Sequence, residues 1–400
     1  MLAARLSVFI IFALNGTVIG SWAPRMPTVA DQIDASPGEL GLALLGASVG
    51  MIAAASLAGR WCARFGARAI VLTSALATAV VLPLMAIVSS PLQLGFALIF
   101  LGAVVGTLDV AMNIAAVTVV RRTERPIMPV FHAGFSFGAL GGSVGAAFAA
   151  GHGIGLFGHF LAMSILTVVV TLAVIRFVPR EEPAADPAAH GSTDRRMLRR
   201  PVLWLLGAIA LCSAIVEGGS GDWSALFAVR ERGMGEAAAA VTFSVFCLAM
   251  AFVRLFGEQA ERRWGADRML VGGSLVAGAG LLVTASVPSG ALAFVGFGLA
   301  GGGLAFAFPV ALNMAGAVGR RADGTGGERE IGFVTTVAYS GFLVGPPMLG
   351  GIAQVTNLAV AVGFAGFVAL LIAPVALAAA RARRREENSE PARVPALNRR

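Results

Sequence analysis

Twelve stretches of about twenty mostly apolar residues, separated by short arginine-bearing connections, dominate this chain of 400 residues. A helix needs roughly 20 such residues to cross a hydrocarbon core about 30 Å thick, and in lipid its backbone must satisfy its own polar groups. The stretches fall near 5–24, 39–59, 69–89, 91–120, 129–151, 156–178, 201–226, 236–256, 268–287, 290–318, 331–353 and 357–380. They are numbered spans 1–12. Apolar side chains make up 57% of the chain and charged ones only 13%, with a mean hydropathy of +0.82. Soluble domains carry about 25% charged residues, so this chain could not cover a water-exposed surface of its size. A soluble enzyme, a secreted disulfide scaffold, a disordered chain and a nucleic-acid binder are excluded together. Leu6–Gly20 resembles the apolar part of a secretory leader, but eleven further spans follow it, and it reads as span 1.

The net charge of +8 rests on 30 basic residues, all arginine, clustered between the spans. That is topogenic charge rather than a nucleic-acid face. With both termini cytoplasmic, only Arg25, Arg230 and Arg232 of the 30 fall on the outer side. The expected location is therefore a bacterial inner (plasma) membrane. Cys62, Cys212 and Cys247 have no metal or disulfide spacing and read as small apolar residues. Trp22 and Trp223 stand at the outer ends of spans 1 and 7, where interfacial aromatics belong.

The two halves repeat each other. Asp109-Val-Ala-Met-Asn113 in span 4 matches Pro309-Val-Ala-Leu-Asn313 in span 10, and Gly20-Ser-Trp22 matches Gly221-Asp-Trp223. Phe135-Ser136 matches Tyr339-Ser340, and Gly59–Arg68 between spans 2 and 3 matches Gly257–Arg268 between spans 8 and 9. Four matches in one order indicate a parallel duplication. The expected organisation is a six-helix bundle over 1–178, a cytoplasmic linker over 179–200, a second bundle over 201–380 and an Arg-rich tail over 381–400.

Twelve spans in two halves with this charged inner loop resemble the major facilitator superfamily. The superfamily's loop motif is kept at Gly59, Arg64, Gly66 and Arg68, and echoed by Arg262 and Gly265, but Ala63 stands where an acid is expected. Glu261 is the candidate for that acid in the second copy. Ser21–Pro27, Asp109–Asn113, Phe131–Ser136 and Gly345–Gly350 are similar to the YbjJ/MosC-like branch, itself distantly similar to fucose-permease-type sugar permeases. The resemblance covers about 1–380 and implies two bundles related by pseudo-two-fold symmetry. It implies a central cavity lined by spans 1, 4, 7 and 10, with help from 5 and 11. It also implies that the Gly59–Arg68 loop takes part in conformational change.

Polar side chains in hydrocarbon cost several kcal/mol unless they meet a partner or a wet cavity. Those deep in this chain fall on the same spans: Asn15, Asp109, Asn113, Glu217, Asp222 and Asn313, with His132 and Tyr339 on spans 5 and 11. Gly102, Gly106, Asp109 and Asn113 share one helical face, as do Ser213, Glu217, Ser220 and Ser224, and His132, Ser136, Ala139 and Ser143. At 1.5 Å per residue Asp109 sits near the midplane and Glu217 in the outer half. The sequence places no arginine at either depth, so burial favours the protonated carboxyl, and Asp109 and Glu217 are the candidate proton carriers. Asn15, Asp109, Asn113, His132, Glu217, Asn313 and Tyr339 are the candidate solute-binding residues. Asn113 and Asn313 also suit bonds between packed helices.

Together these features point to a secondary transporter working by alternating access rather than to an enzyme. Its expected cargo is a small sugar- or polyol-like or cationic solute. An absent cavity arginine disfavours a strongly anionic one. Proton antiport of drug-like cations is the alternative within the class, and a sensor without flux lies outside it. No cofactor is expected; the coupling ion is a proton, with sodium able to use the same carboxylates. The expected partners are the solute and the bilayer, with no nucleic acid and a monomeric chain. Gly46/Gly50, Gly138/Gly142, Gly298/Gly302 and Gly341/Gly345 are candidate close-packing faces. Pro309 and Pro346-Pro347 are expected to kink spans 10 and 11.

Overall fold

At the start of span 2 the sequence Ser36-Pro-Gly-Glu39 closes a capping box. The Ser36 hydroxyl accepts the Glu39 N–H at 3.4 Å, and the Glu39 carboxylate accepts the Ser36 N–H at 3.0 Å. Pro37 occupies the first helical position, where a missing N–H costs nothing. The helix it starts runs Pro37–Phe65, well past the expected end of the span. The computed structural model describes residues 2–123, 127–180, 200–319 and 327–389, so most of the expected linker and the far end of the tail lie outside the described residues.

Among the described residues, twelve helical segments are long and apolar enough to cross a membrane. Spans 1, 3, 4, 5 and 6 lie in Leu2–Trp22, Ala67–Leu84, Pro91–Thr123, Met128–Gly151 and Leu156–Val174. Spans 7, 8, 9, 11 and 12 lie in Pro201–Arg232, Glu236–Leu255, Ala266–Ser286, Glu328–Val355 and Leu358–Ser389. Span 10 is broken into Gly290–Leu304 and Ala307–Gly319. Span 12 does not end in a loose tail at Arg381: its helix continues to Ser389, where Arg383 pairs with Asp267 at 2.9 Å. Glu386 on the same extension takes Arg200 at 2.7 Å.

The duplication is visible in the packing. Spans 1 and 5, 2 and 4, 3 and 4, and 3 and 6 pack together, and so do 7 and 11, 8 and 10, 9 and 10, and 9 and 12. The two bundles meet where span 2 lies on span 11 and span 5 on span 8. One sequence reading is corrected at the connections between spans 2 and 3 and between 8 and 9. They are not loops. Gly59, Arg64, Arg68 and Arg262 are helical, and the chain turns on a single glycine in each copy. Gly66 has φ +82° and ψ +143°, and Gly265 has φ +77° and ψ +153°, a region that side chains other than glycine rarely enter. The Gly66 N–H donates to the Cys62 carbonyl at 2.8 Å and the Gly265 N–H to Glu261 at 2.9 Å. In this register Glu261 corresponds to Cys62, not to Ala63.

Hydrophobicity does not drive helix association in lipid, so close approach relies on small residues. Spans 1 and 5 interlock reciprocally: a Cβ on Gly16 or Gly20 would strike the carbonyls of Phe135 or Ala139, and one on Gly138 or Gly142 those of Ala13 or Thr17. The equivalent seam between spans 7 and 11 is looser, with Gly218 facing the Phe342 ring and Gly207 facing Val337. The expected pair Gly298/Gly302 touches only side chains, while Gly301 lies directly on the Phe246 backbone. Trp22 and Trp223 are also not a lipid-facing belt. They are 7% and 2% exposed and form part of the core.

The interlock yields a matched pair of variants. Gly138→Ala places a methyl on a backbone carbonyl that cannot move away, whereas Gly141→Ala meets nothing within 4 Å. The first should lower stability by about 1–3 kcal/mol, read as a fall in thermal unfolding midpoint in detergent. The second should stay within about 0.5 kcal/mol.

Candidate functional site

Proline chemistry shapes the interior. Pro309 lacks an N–H and its ring crowds the carbonyl four residues earlier, which belongs to Ala305. Span 10 breaks there, and the freed Ala305 carbonyl accepts the Arg254 Nε–H at 3.1 Å. Pro346 likewise frees the Phe342 carbonyl. There span 11 stays one unbroken helix, and the Ser48 hydroxyl of the other bundle donates to that carbonyl at 2.8 Å. Both vacancies are filled by side chains from neighbouring helices, as lipid requires.

Arg254 corrects the sequence reading. It belongs to the arginines assigned to the inner loops, yet it is helical, in the last turn of span 8. Its Nη2 stands 3.7 Å from Glu217 Oε1, with the two side chains 35% and 30% exposed. Span 7 extends outward to Arg232, and Glu217 stands near the middle of that long helix. Glu217 therefore has a counter-charge, and the argument against an anionic solute from a missing cavity arginine falls. Two sequence signals pointed to Arg254: its position inside the apolar run 236–256, and a proline four residues after Ala305.

Asp109 stands differently. Among the described residues its half-buried carboxylate takes part in no ion pair or hydrogen bond, and the half-exposed Tyr339 of the other bundle lies within range of its charge. His132 in turn lies within range of Arg254, so each carboxylate neighbourhood draws on both bundles. Asn313 is exposed. Asn15 is 1% exposed, with its Oδ1 unpartnered among the described residues. Asn113 turns back on its own helix, Nδ2 donating to the Asp109 carbonyl at 2.8 Å. It lines, with Gly59, Arg64, Gly66 and Arg68, a separate cleft inside the first bundle.

The predicted stripes are mostly packing seams. Gly102 and Gly106 lie on Ala47 and Met51 of span 2, and Ser213, Ser220 and Ser224 are sealed in the core around Glu217. Along span 5, burial tightens in the direction away from the termini. His132 is exposed, Ser136 is half-buried, Ala139 is 6% exposed and Ser143 is fully buried, where it meets Ser244 of span 8 at 2.9 Å. The gap between the bundles thus opens on the side of the termini and closes on the other.

That closed side carries the ties between bundles. Thr28 donates to Glu236 at 2.8 Å, the Gly38 N–H to the Gln354 side chain at 3.1 Å, and Arg230 pairs with Asp31. Arg25, one of the three arginines that the sequence places on the outer side, is buried beneath this seal. Its Nη2 donates to the Ile154 carbonyl at 3.1 Å, and its Nη1 stands 3.9 Å from Glu236. Asp222, one of the deep polar residues of the sequence, is half-buried on span 7.

Comparison with known proteins agrees with this architecture. The chain is 30% identical over 382 residues to an uncharacterised MFS-type transporter of Yersinia pestis, covering 95% of this chain and 97% of the relative. It is 28% identical over 363 residues to the membrane protein MosC of Rhizobium meliloti, covering 90% and 86%. A mutant of the nucleoside transporter NupG superposes with a TM-score of 0.79 at 12% identity, covering 94% of this chain and 99% of that one. A bacterial homologue of the human lysosomal transporter Spinster gives 0.71 at 15%, covering 94% and 96%. At such identities the structural likeness speaks to the fold alone. The sequence model of the Major Facilitator Superfamily matches residues 8–327, and the chain belongs to that superfamily.

Proposed function

We propose that this membrane transporter moves a small neutral polyhydroxylated solute by alternating access, coupled to protons, with Asp109 as the group that takes up and releases the proton. The observation that carries this reading is the contrast between the two carboxylates. Glu217 is held by Arg254, while Asp109 has no partner among the described residues and faces Tyr339 across the gap. A carboxylate with no counter-charge in a low-dielectric cleft sheds its charge most readily by binding a proton, and a clamped one does not. Glu217 then serves the solute and the Arg254 pair rather than the proton.

Tyr339, Asn313 and His132 supply hydroxyl, amide and imidazole groups on the open side of the gap, a set suited to hydroxyl-rich cargo. Arg254 makes the site a poor host for a lipophilic cation. It also supports a second reading, in which a solute bearing one carboxylate displaces Glu217 from its 3.7 Å contact. The arginine distribution supports cytoplasmic termini in an inner membrane, which makes the present conformation open to the cytoplasm. The chain is proposed to act as a monomer.

Two experiments follow. In proteoliposomes, Asp109→Asn should abolish substrate-driven proton movement while solute exchange at equal concentrations persists, and Glu217→Gln should retain coupling. Sugars, polyols and small carboxylates are the solutes to screen. Coupling intact in Asp109→Asn overturns the assignment. Arg254→Gln should strand both Glu217 and the Ala305 carbonyl and lower stability by about 1–3 kcal/mol, read by thermal unfolding. Adding Glu217→Gln should restore about half of that loss.

A further inference from the structure

The cleft inside the first bundle has a volume of about 1210 Å³ and lies at the end of the bundle that carries the termini. It is lined by Arg64, Arg68, Arg121, Arg122, Arg176 and Arg180, over an apolar floor that includes Leu72 and Val117. Among the described residues no carboxylate lines it, and none of the six guanidiniums forms an ion pair. Two are instead fixed by backbone: Arg68 Nε donates to the Val178 carbonyl at 2.6 Å, and Arg122 Nη2 to the Arg180 carbonyl at 2.8 Å. Arg68 and Arg180 are near enough to repel each other. Six like charges around one partly apolar cleft are unfavourable unless an anion joins them.

The duplicated corner of the second bundle shows how the same turn is normally balanced. In the register set by Gly66 and Gly265, Gly59, Cys62 and Arg68 stand where the second copy has Glu258, Glu261 and Asp267. There Asp267 holds Arg383 through both carboxylate oxygens, at 3.1 and 2.9 Å. The first copy thus replaces three acids by a glycine, a cysteine and an arginine, and has opened a cavity at the same place.

We propose that this cleft binds a phosphate-bearing anion, held by the fan of guanidiniums from Arg64, Arg68, Arg121, Arg122 and Arg176. Guanidinium forks match phosphate oxygens bidentately, and an apolar floor beneath them suits the glycerol and acyl portion of an anionic phospholipid as well as a free phosphoanion. The anion neutralises the end of the bundle that turns on Gly66, so its occupancy stabilises the closed packing of spans 2, 3 and 4.

The test uses the full chain in nanodiscs of phosphatidylcholine alone and with one-third phosphatidylglycerol, and in phosphatidylcholine with added inorganic phosphate or glycerol phosphate. The readouts are the thermal unfolding midpoint and the lipid retained in native mass spectrometry. Wild type should gain stability with phosphatidylglycerol if the phosphate belongs to a lipid, or with the soluble anions if it does not. Arg121→Gln/Arg122→Gln/Arg176→Gln should weaken that dependence by about tenfold or more. Arg263→Gln/Arg268→Gln, at the balanced corner, should leave it unchanged. The proposal is overturned if neither source stabilises the wild type, or if both variants weaken the effect equally, which is general surface charge. It also fails if stabilisation appears only after Glu181→Gln/Glu182→Gln, since the chain's own carboxylates would then fill the cleft.

Discussion

In hydrocarbon a backbone carbonyl without a partner is a liability of several kcal/mol, and two of those that prolines set free here are answered by side chains of neighbouring helices. Ala305 is answered by Arg254 and Phe342 by Ser48, each from a different helix. The first contact brings a cation deep into the second bundle, where it meets Glu217 and comes within range of His132 of the first. The second joins the bundles directly. A break in span 10 and a seam between spans 2 and 11 thus have the same cause, and the polar centre of the molecule is in part a consequence of where proline stands.

The two copies of the six-helix unit use the same pairs of spans and the same glycine turn, yet they are stabilised differently. In the first bundle, spans 1 and 5 lock backbone to backbone through four glycines, whereas between spans 7 and 11 only Gly341 lies on a backbone carbonyl, that of Leu211, and Gly207 and Gly218 face Val337 and Phe342 side chains. The second bundle instead gathers the ion pairs Arg383–Asp267, Arg200–Glu386 and Arg254–Glu217. Packing of the first kind is insensitive to charge, and packing of the second kind is not. The corner at Gly66, left without acids, is therefore where an outside anion has the most to contribute.

Much of this was legible in the sequence because lipid imposes length, periodicity and charge sidedness on every span. The twelve spans and the repeat needed only residue types and spacing. Arg254 was hidden because an arginine near a span end reads as a topogenic charge, and its place in an apolar run and the proline after Ala305 are weaker signals than that. The Ser213, Ser220 and Ser224 stripe misled for the opposite reason: small hydroxyl residues serve tight packing as well as wet cavities, and here they are sealed. Trp223 was placed at an interface by its position along span 7, but the helix runs on to Arg232 and carries it into the core.

The seam between the bundles is built from contacts that can be given up. Ser143–Ser244, Ser48 to Phe342 and Gly38 to Gln354 are single hydrogen bonds, and such bonds between membrane helices average about 0.6 kcal/mol. Arg230–Asp31 is exposed, and pairs of that kind contribute about 0–1 kcal/mol. Breaking these polar ties costs a few kcal/mol in all, while seams within a bundle such as that of spans 1 and 5 set backbone against backbone. One elementary charge moving through 100 mV supplies about 2.3 kcal/mol, the same scale as that cost. A seam that combines such polar ties with the close approach of Gly41 and Gly350 between spans 2 and 11 is where this architecture lets the two bundles part.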